Sequence, residues 1–285
     1  MRTSGRGRVV LGLLSVAALV ALYTFFASLW NRPDLLPPTR AVWAAFWSLV
    51  TGGHPAAPGE HVHHSDHVAL LLEQEVTLQG ALLVSAARVV FGVAVGGALG
   101  ILVGAWMGWS RRVDEYLHPV YVLFRSIPPL ALITYVMLWF GHGQTHLLVP
   151  IVYAVLATVV IPAYHGVRDV ADIYVKAARA LGARGRLLVA RVLVPAASPT
   201  VLGGLRYALL VAWMTTVGVE MLMADDGIGH LIVGGGLWSS RLEVRADPAV
   251  VMVSIVALAS AGSVMDAALR IVTGRLTAWT KGAGR

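Results

Sequence analysis

Long stretches without a charged residue constrain this chain more than any other feature. Four of them cover residues 9–31, 89–110, 126–167 and 248–265. A helix needs roughly 20 apolar residues to cross the hydrocarbon core of a bilayer, so each stretch is long enough for one crossing and 126–167 for two. Only 13% of the residues are charged, where a soluble domain carries about 25%. The chain is therefore predicted to be an all-α integral membrane protein.

Six transmembrane helices fit the apolar pattern, near residues 9–29, 82–109, 117–140, 147–164, 202–223 and 249–271. The first follows basic residues, as a signal peptide does, but its apolar stretch exceeds the roughly 7–15 residues of a cleaved signal, so we expect it to be retained. With the N-terminus inside, sixteen basic residues fall in cytoplasmic segments and four in external ones. Lys and Arg accumulate on the cytoplasmic side, which predicts that both termini are cytoplasmic and explains the net charge of +7.

The spans define the expected organisation of the chain. It comprises a cytoplasmic N-terminus with the first helix (1–30), an external loop (31–80), a core of five helices (81–272) with a cytoplasmic loop (166–200), and a cytoplasmic tail (273–285). Within the external loop, the spacing of Ala, Trp and Phe predicts an amphipathic helix over 39–50 that lies on the membrane surface. A second external segment, 224–246, contains the sequence Asp-Gly-Ile-Gly, which predicts a turn.

Histidines cluster in the first external loop, and imidazoles at this density can bind zinc or nickel. The weak metal candidates are His61, His63, His64 and His67. A solvated loop without fixed ligand geometry is the alternative interpretation. The chain contains no cysteine, which excludes disulfides and thiolate metal sites.

Glycines recur at every fourth position of the second span, at Gly92, Gly96, Gly100, Gly104 and Gly108. This spacing places them on one helical face, where small residues let another backbone approach closely. Tight packing within the subunit is one interpretation. A seam between two subunits is the other.

The loop at 166–200 carries most of the functional information. An Ala-rich segment, a Gly-Ala-Arg-Gly turn and a second apolar-basic segment predict a helical hairpin. The loop resembles the Glu-Ala-Ala signature of binding-protein-dependent ABC permeases, in which Glu-Ala-Ala, a glycine and an aliphatic-x-aliphatic-Pro stretch dock on an ATPase. Its matching positions are Ala177, Ala178, Gly182, Val192, Val194 and Pro195, with Lys176 where the family usually has Glu.

Five further motifs extend the match from residue 35 onward: Leu-Pro-Pro-Thr at 36–39, Arg-Ser-Ile-Pro-Pro-Leu at 125–130, Trp-Phe-Gly at 139–141, Gly-Gly-Leu-Arg at 203–206 and Arg-Leu-Thr-Ala-Trp at 275–279. On these motifs the chain resembles the nitrate/sulfonate/taurine/bicarbonate permeases, taurine permeases most of all. The resemblance implies a six-helix type I importer fold of the methionine-permease kind, a homodimer, two ATPase subunits and a periplasmic or lipid-anchored solute-binding protein. The sequence has no Gly-x-x-x-x-Gly-Lys loop, so ATP and Mg²⁺ are expected in the partner ATPase and not in this chain. No metalloprotease or hydrolase motif is found, which predicts a transport subunit rather than an enzyme.

Charged residues within a bilayer are costly and are usually paired or functional. Arg88 and Glu220 fall at comparable depth, which predicts a salt bridge, although Arg88 could instead reach the membrane interface. Arg125 precedes two prolines that must break helix geometry. The predicted pathway or gate residues are Arg125, Pro128, Pro129, Trp213 and Glu220. A purely structural kink is equally compatible with the two prolines, and Asp266 with Arg270 is interpreted as a simple helical pair.

These features predict a multi-pass permease subunit of an ABC importer in the bacterial inner membrane. The expected solute is small and anionic or zwitterionic, with taurine or an aliphatic sulfonate preferred over nitrate, bicarbonate or a pyrimidine precursor. An ion-coupled secondary transporter is the rival class, but it predicts inverted repeats that the sequence does not show. A membrane scaffold or sensor built on the histidine-rich loop is a further alternative.

Overall fold

The computed structural model describes residues 5–30, 36–51, 77–141, 143–170, 172–233 and 247–279, and these ranges contain helices and turns but no strand. The predicted all-α fold is therefore confirmed. The α-helices are α1 (Gly5–Trp30), α2 (Thr39–Thr51), α3 (Leu78–Trp109), α4 (Arg111–Arg125), α5 (Leu132–Phe140), α6 (Gln144–Arg168), α7 (Asp172–Ala180), α8 (Gly185–Leu188), α9 (Val194–Met223), α10 (Ile228–Val233) and α11 (Pro248–Leu276). A 3₁₀-helix covers Pro129–Ala131 and a π-helix covers Val189–Leu193.

Four helical segments are long and apolar enough to cross a membrane unaided, namely α3, α6, the continuous segment Gly185–Met223 and α11. A fifth crossing results if α4 and Pro129–Phe140 form one bent span. The helix α1 exists as predicted, but its described apolar part, Ala17–Leu29, is shorter than a crossing requires. Length and composition thus support five of the six predicted spans. The first span, near residues 9–29, stays a prediction.

The centre of the fold is the packing of α3 against α6. Core residues from α3, α6 and α9 share one buried cluster that includes Val89, Ile151, Val159, Ala212 and Trp213. The glycine ladder of α3 lies in this contact. A Cβ added to Gly96 would lie 2.5 Å from the backbone oxygen of Val152 on α6, and one on Gly100 would lie 2.9 Å from Val159 Cβ. The ladder therefore serves packing within the subunit, as the first of the two interpretations expected.

The third predicted span, 117–140, is not one continuous helix. It breaks after Arg125, and the helix direction bends by 75° between the two halves. Pro128 is extended, with φ −63° and ψ 130°, because a residue that precedes another proline is disfavoured in the helical region. The prolines also lack the N–H groups that a continuing helix would need.

The predicted hairpin is present, and its second arm is longer than expected. Helix α7 turns at 181–184 into α8, and the chain continues without interruption through the π-helix into α9. The sequence predicts the fifth span at 202–223, but α9 begins at Val194, with Pro195 in its first turn. Proline is tolerated there because the N–H groups of a helix's first turn have no partner within the helix.

The amphipathic helix predicted near 39–50 is observed as α2. Its buried face, Ala45 and Leu49, joins a cluster with residues of α3, α10 and α11, whereas Trp43 and Trp47 are exposed. This arrangement ties α2 to the same end of the fold as α10.

Candidate functional site

The hairpin between α6 and α9 begins with α7, whose end is set by a glycine. Gly182 has φ +85°, and Ala183 N donates to Ala178 O over 2.9 Å while Gly182 N donates to Arg179 O over 3.0 Å. These two bonds form a Schellman motif, which places a residue in the left-handed region directly after the helix. Glycine adopts that conformation without the steric cost that a Cβ imposes. The sequence match at Gly182 therefore has a conformational reason.

Most of the predicted coupling residues are accessible on the hairpin. Lys176, Ala177 and Gly182 are exposed and Ala178 is half-buried. At the foot of the second arm, Val194 is exposed while Val192 and Pro195 are half-buried. Leu188, Leu193 and Ala197 are buried and anchor this arm. The hairpin thus presents its small and cationic residues outward.

A second site lies near the opposite end of α9, where Glu220 is only 1% exposed and Arg88 4% exposed. Arg88 Nη1 donates to Glu220 Oε1 over 2.8 Å, so the predicted salt bridge is confirmed and the snorkelling alternative is wrong. Ser85 Oγ donates to Glu220 Oε2 over 2.8 Å, and Gly229 N donates to the same oxygen over 3.0 Å. Three donors, two on α3 and one on α10, therefore meet one buried carboxylate of α9.

The guanidinium of Arg88 is also fully engaged. Its Nε and Nη2 donate to Gln144 Oε1 over 3.2 and 3.0 Å, and Nη2 also contacts the carboxylate of Asp226. Ser85 Oγ in turn accepts from Ile228 N over 2.9 Å. The network joins α3, α6, α9 and the turn that begins α10, which explains why a membrane protein tolerates two buried charges here.

Sequence reasoning missed the partners Ser85, Gln144 and Asp226. The glycines of the Asp-Gly-Ile-Gly turn were the sequence feature that could have indicated a close approach of this turn to Glu220. Gly227 has φ +95°, and a Cβ there would lie 2.5 Å from the Glu220 carboxylate; one on Gly229 would lie 2.6 Å from Glu220 Cβ. The two glycines let the turn close over Glu220.

The bend between α4 and α5 is held by a tyrosine that the sequence did not single out. Tyr153 of α6 places its hydroxyl 3.0 Å from Ile127 O and also in contact with Phe124 O. Phe124 O also accepts from Ile127 N over 3.2 Å, so the tyrosine ties the turn that ends α4 to α6. Arg125 and Pro128 are exposed and Pro129 is half-buried, so the bend presents an accessible cation beside irregular backbone.

The structure connects the bend to α9 but leaves the five predicted pathway residues in different surroundings. A Cβ on Gly218 would lie 3.1 Å from Leu130 Cδ2, so the 3₁₀ turn packs against α9 two residues from Glu220. Trp213 belongs to the buried core, and its Nε1 has no hydrogen-bond partner among the described residues. Of these positions, Arg125 and Pro128 are the openly accessible ones.

The remaining sequence predictions divide by location. The pair Asp266–Arg270 is confirmed at 2.5 Å, but Asp266 also accepts from Arg206 over 2.9 Å and so links α11 to α9. The histidines at 61, 63, 64 and 67 lie outside the described residues. Within the described ranges, no three His, Cys, Asp or Glu side chains group to hold a metal.

Comparison with known proteins agrees with this architecture. The family described as "Binding-protein-dependent transport system inner membrane component" matches residues 96–278. A probable ABC transporter permease protein of Brucella melitensis is 34% identical over 240 residues, which cover 84% of this chain and 94% of the relative. The taurine transport system permease protein of Escherichia coli is 34% identical over 72% of each chain. A putative aliphatic sulfonates transport permease protein of Bacillus subtilis is 29% identical over 88% of each.

Among solved structures, an inward-facing MetNI methionine ABC transporter aligns with a TM-score of 0.55 at 18% identity, covering 70% of this chain and 94% of the other. The likeness shows the methionine-permease type of fold. Together with the family match, it identifies this chain as a multi-pass inner membrane protein that belongs to the binding-protein-dependent ABC transporter permeases, in the branch of taurine, sulfonate and nitrate permeases.

Proposed function

We propose that this chain is the permease subunit of an ATP-driven importer for a small anionic or zwitterionic solute, with taurine or another aliphatic sulfonate as the preferred substrate. The exposed hairpin at the start of the Gly185–Met223 segment carries the proposal, because it offers a docking element that continues directly into a span. The substrate class rests on the relatives, whose names specify taurine and aliphatic sulfonates.

The proposed assembly contains two copies of this chain, two ATPase subunits on the cytoplasmic hairpins and an external solute-binding protein. ATP and Mg²⁺ bind only in the ATPase subunits. Closure of the ATPase dimer pushes the hairpin, and the helical segment transmits this movement toward the Glu220 network. Access to the pathway then alternates between the two sides of the membrane.

The bend at Arg125 is the proposed contact with the solute. An exposed guanidinium beside Pro128 can bind a sulfonate through two parallel N–H groups, a geometry that an ammonium lacks. The broken helix adds irregular backbone, which a membrane accepts only where it is buried in protein or lines a watery cavity.

Purification of the tagged chain from its native host tests the assignment first. We expect an ATPase subunit to co-purify in stoichiometric amount, with ATP hydrolysis by the complex. Gly182→Asp should abolish the coupling of hydrolysis to transport, because a Cβ at φ +85° is strained. Gly274→Asp is the matched control, since nothing lies within 4 Å of a Cβ there and the position falls in the predicted cytoplasmic tail rather than within a predicted span.

Absence of any ATPase, together with uptake that survives ATP depletion, would favour an ion-coupled transporter and overturn the proposal. The substrate is tested separately by uptake of radiolabelled taurine into proteoliposomes that contain the whole complex. We expect competition by aliphatic sulfonates. Competition by nitrate or bicarbonate alone would reassign the solute within the same branch.

A further inference from the structure

A long apolar groove separates α1 from the rest of the fold. Tyr23 Oη of α1 donates to Pro37 O over 2.6 Å, just before α2 begins. Beside this bond, a groove of about 820 Å³ runs between α1, α2, the start of α3 and α11. Its lining residues Leu19, Val20 and Val256 are exposed. Protein interiors leave few voids larger than a water molecule, and this volume falls within the range of about 300–1,000 Å³ that ligand sites occupy. The groove therefore has room for a ligand.

The length of the groove matches the depth of one membrane leaflet. Its α11 wall is one face of the helix, formed by Met252, Val253, Val256, Ala257 and Ser260. From the first to the last of these residues the helix rises by about 12 Å, and one leaflet contributes about 15 Å to a hydrocarbon core of about 30 Å. The wall is apolar throughout, because the hydroxyl of Ser260 is bonded to carbonyls of its own helix at 2.8 and 2.9 Å. A single acyl chain that enters from one side of the membrane fits along it.

The end of the groove at α2 carries a cation. Thr39, the first residue of α2, lines the groove, and Arg40 follows it. Arg40, Trp43 and Trp47 are exposed, and their spacing of three and four residues places them on one face of the helix. Tryptophan is enriched where a membrane meets water, so this face lies at the level of the lipid headgroups. Among the described residues the guanidinium of Arg40 has no ion pair or hydrogen bond, and Asp34, the acid nearest to it in sequence, lies outside them.

We infer that the groove binds one acyl chain of a phospholipid and that Arg40 binds the phosphate of the same molecule. The lipid comes from the leaflet on the α2 side of the membrane, which is the predicted external side. A lipid tail is as apolar as leucine, so it suits the walls of the groove. A guanidinium can hold a phosphate through two parallel N–H groups. The bound lipid joins α1 to α11 across the groove, a role that is separate from the proposed transport of a solute.

A substitution within the groove tests the acyl chain. When the tagged chain is purified from its native host in mild detergent, native mass spectrometry should detect one retained phospholipid per chain. Val256→Trp should lose this lipid, because the indole occupies the groove. Ile255→Trp is the matched control, since Ile255 is the preceding residue of α11 and is also exposed but does not line the groove. This variant should retain the lipid, and far-ultraviolet circular dichroism should show the same helix content for both variants.

A substitution of Arg40 tests the phosphate. The delipidated chain is titrated with palmitoyl-oleoyl phosphatidylglycerol and, separately, with palmitoyl-oleoyl glycerol, which has the same acyl chains but no phosphate. The wild type should bind the phospholipid about fivefold more tightly than the diacylglycerol, which is the factor expected for one arginine near an anionic lipid. Arg40→Ala should lose this preference, while its affinity for the diacylglycerol should stay unchanged.

Several results would overturn the inference. The wild type could retain no phospholipid, or Val256→Trp could retain as much as Ile255→Trp. Equal affinity of the wild type for the two lipids, or an unchanged preference in Arg40→Ala, would remove the phosphate contact and with it the proposed site.

A second copy of the chain is the rival occupant of the groove. The chain has no cysteine, so single cysteines can be introduced and oxidised in the native membrane. If Val256→Cys forms disulfide-linked dimers and Ile255→Cys does not, the groove is a seam between two copies and the lipid site is refuted. If neither variant forms dimers, the lipid remains the occupant. These measurements involve neither the hairpin nor the ATPase, so they leave the proposed function to its own test.

Discussion

Replacing Glu220 with alanine should strongly destabilise the fold, because the carboxylate is the common acceptor of the buried network. It accepts from Ser85, Arg88 and Gly229 at 2.8, 2.8 and 3.0 Å, and it is 1% exposed. The substitution leaves the buried Arg88 with only Asp226 as a counter-charge, and the side chain of Asp226 is 43% exposed. Removal of one partner of a buried ion pair typically costs about 3–5 kcal/mol. We therefore expect the free energy of unfolding to fall by about that amount.

The measurement is equilibrium unfolding of the detergent-solubilised chain by titration with sodium dodecyl sulfate, followed by far-ultraviolet circular dichroism. Arg88→Ala should cost a similar amount, and the double variant should cost much less than the sum of the two. Groups in direct contact give coupling energies of about 0.5–3 kcal/mol, and this pair should lie toward the upper end because both groups are buried.

The ion pair between Arg206 and Asp266 is the matched control. Its N–O distance of 2.9 Å is similar, but both side chains are partly exposed. Asp266→Asn should therefore perturb stability far less than Glu220→Ala, since solvent screens the accessible pair. Additive effects of the Arg88 and Glu220 substitutions, or an effect of Glu220→Ala no larger than that of Asp266→Asn, would refute the buried network as a source of stability.

Three further predictions concern packing, the bend and the pathway. Gly100→Ala should lower the free energy of unfolding by about 1–3 kcal/mol, because its Cβ would lie 2.9 Å from Val159 Cβ. Gly262→Ala is the control: nothing lies within 4 Å of a Cβ there, so this variant should be neutral or more stable in the same titration. Tyr153→Phe should cost about 1–3 kcal/mol through the loss of a bond to a carbonyl at the bend, and unchanged stability and uptake would show that the tyrosine does not hold it. Arg125→Lys should reduce solute uptake at least about tenfold at unchanged ATPase binding, because lysine lacks the bidentate fork; normal uptake would exclude a specific guanidinium role.

The elements that were predicted correctly depend on local chemistry. Uncharged length is enough to locate α3, α6 and α11, since the bilayer thickness sets a minimum for each crossing. The Gly-Ala-Arg-Gly turn located the hairpin because a positive φ after a helix favours glycine. Apolarity predicts a start at 202 rather than at Val194 for α9, because it marks the membrane-embedded part of a helix and not its hydrogen bonding.

The parts of the site that were missed depend on residues far apart in sequence. Depth counting was sufficient to pair Arg88 with Glu220, since both charges needed a partner in the membrane. It could not find Ser85 or Gln144, because a serine or glutamine near a helix end is ordinary in any sequence. Tyr153 is missed for the same reason: it contacts Phe124 and Ile127, at separations of 29 and 26 residues, only after α6 has packed beside the bend.

The two candidate sites are connected by one element, and this connection gives the proposed mechanism a physical path. The segment Gly185–Met223 spans 39 residues, which corresponds to about 58 Å at the rise of an α-helix. Its first turn follows the hairpin tip and its last turn carries Glu220, so a push on α7 acts on the turn before α10. The π-helix at Val189–Leu193 interrupts the α-helical hydrogen bonding of this segment. Such π-helical turns often mark functional sites within helices. Movement at the hairpin is therefore expected either to bend the helical segment at Val189–Leu193 or to strain the Glu220 network. Because three hydrogen bonds hold the Glu220 carboxylate in place, we expect the segment to bend.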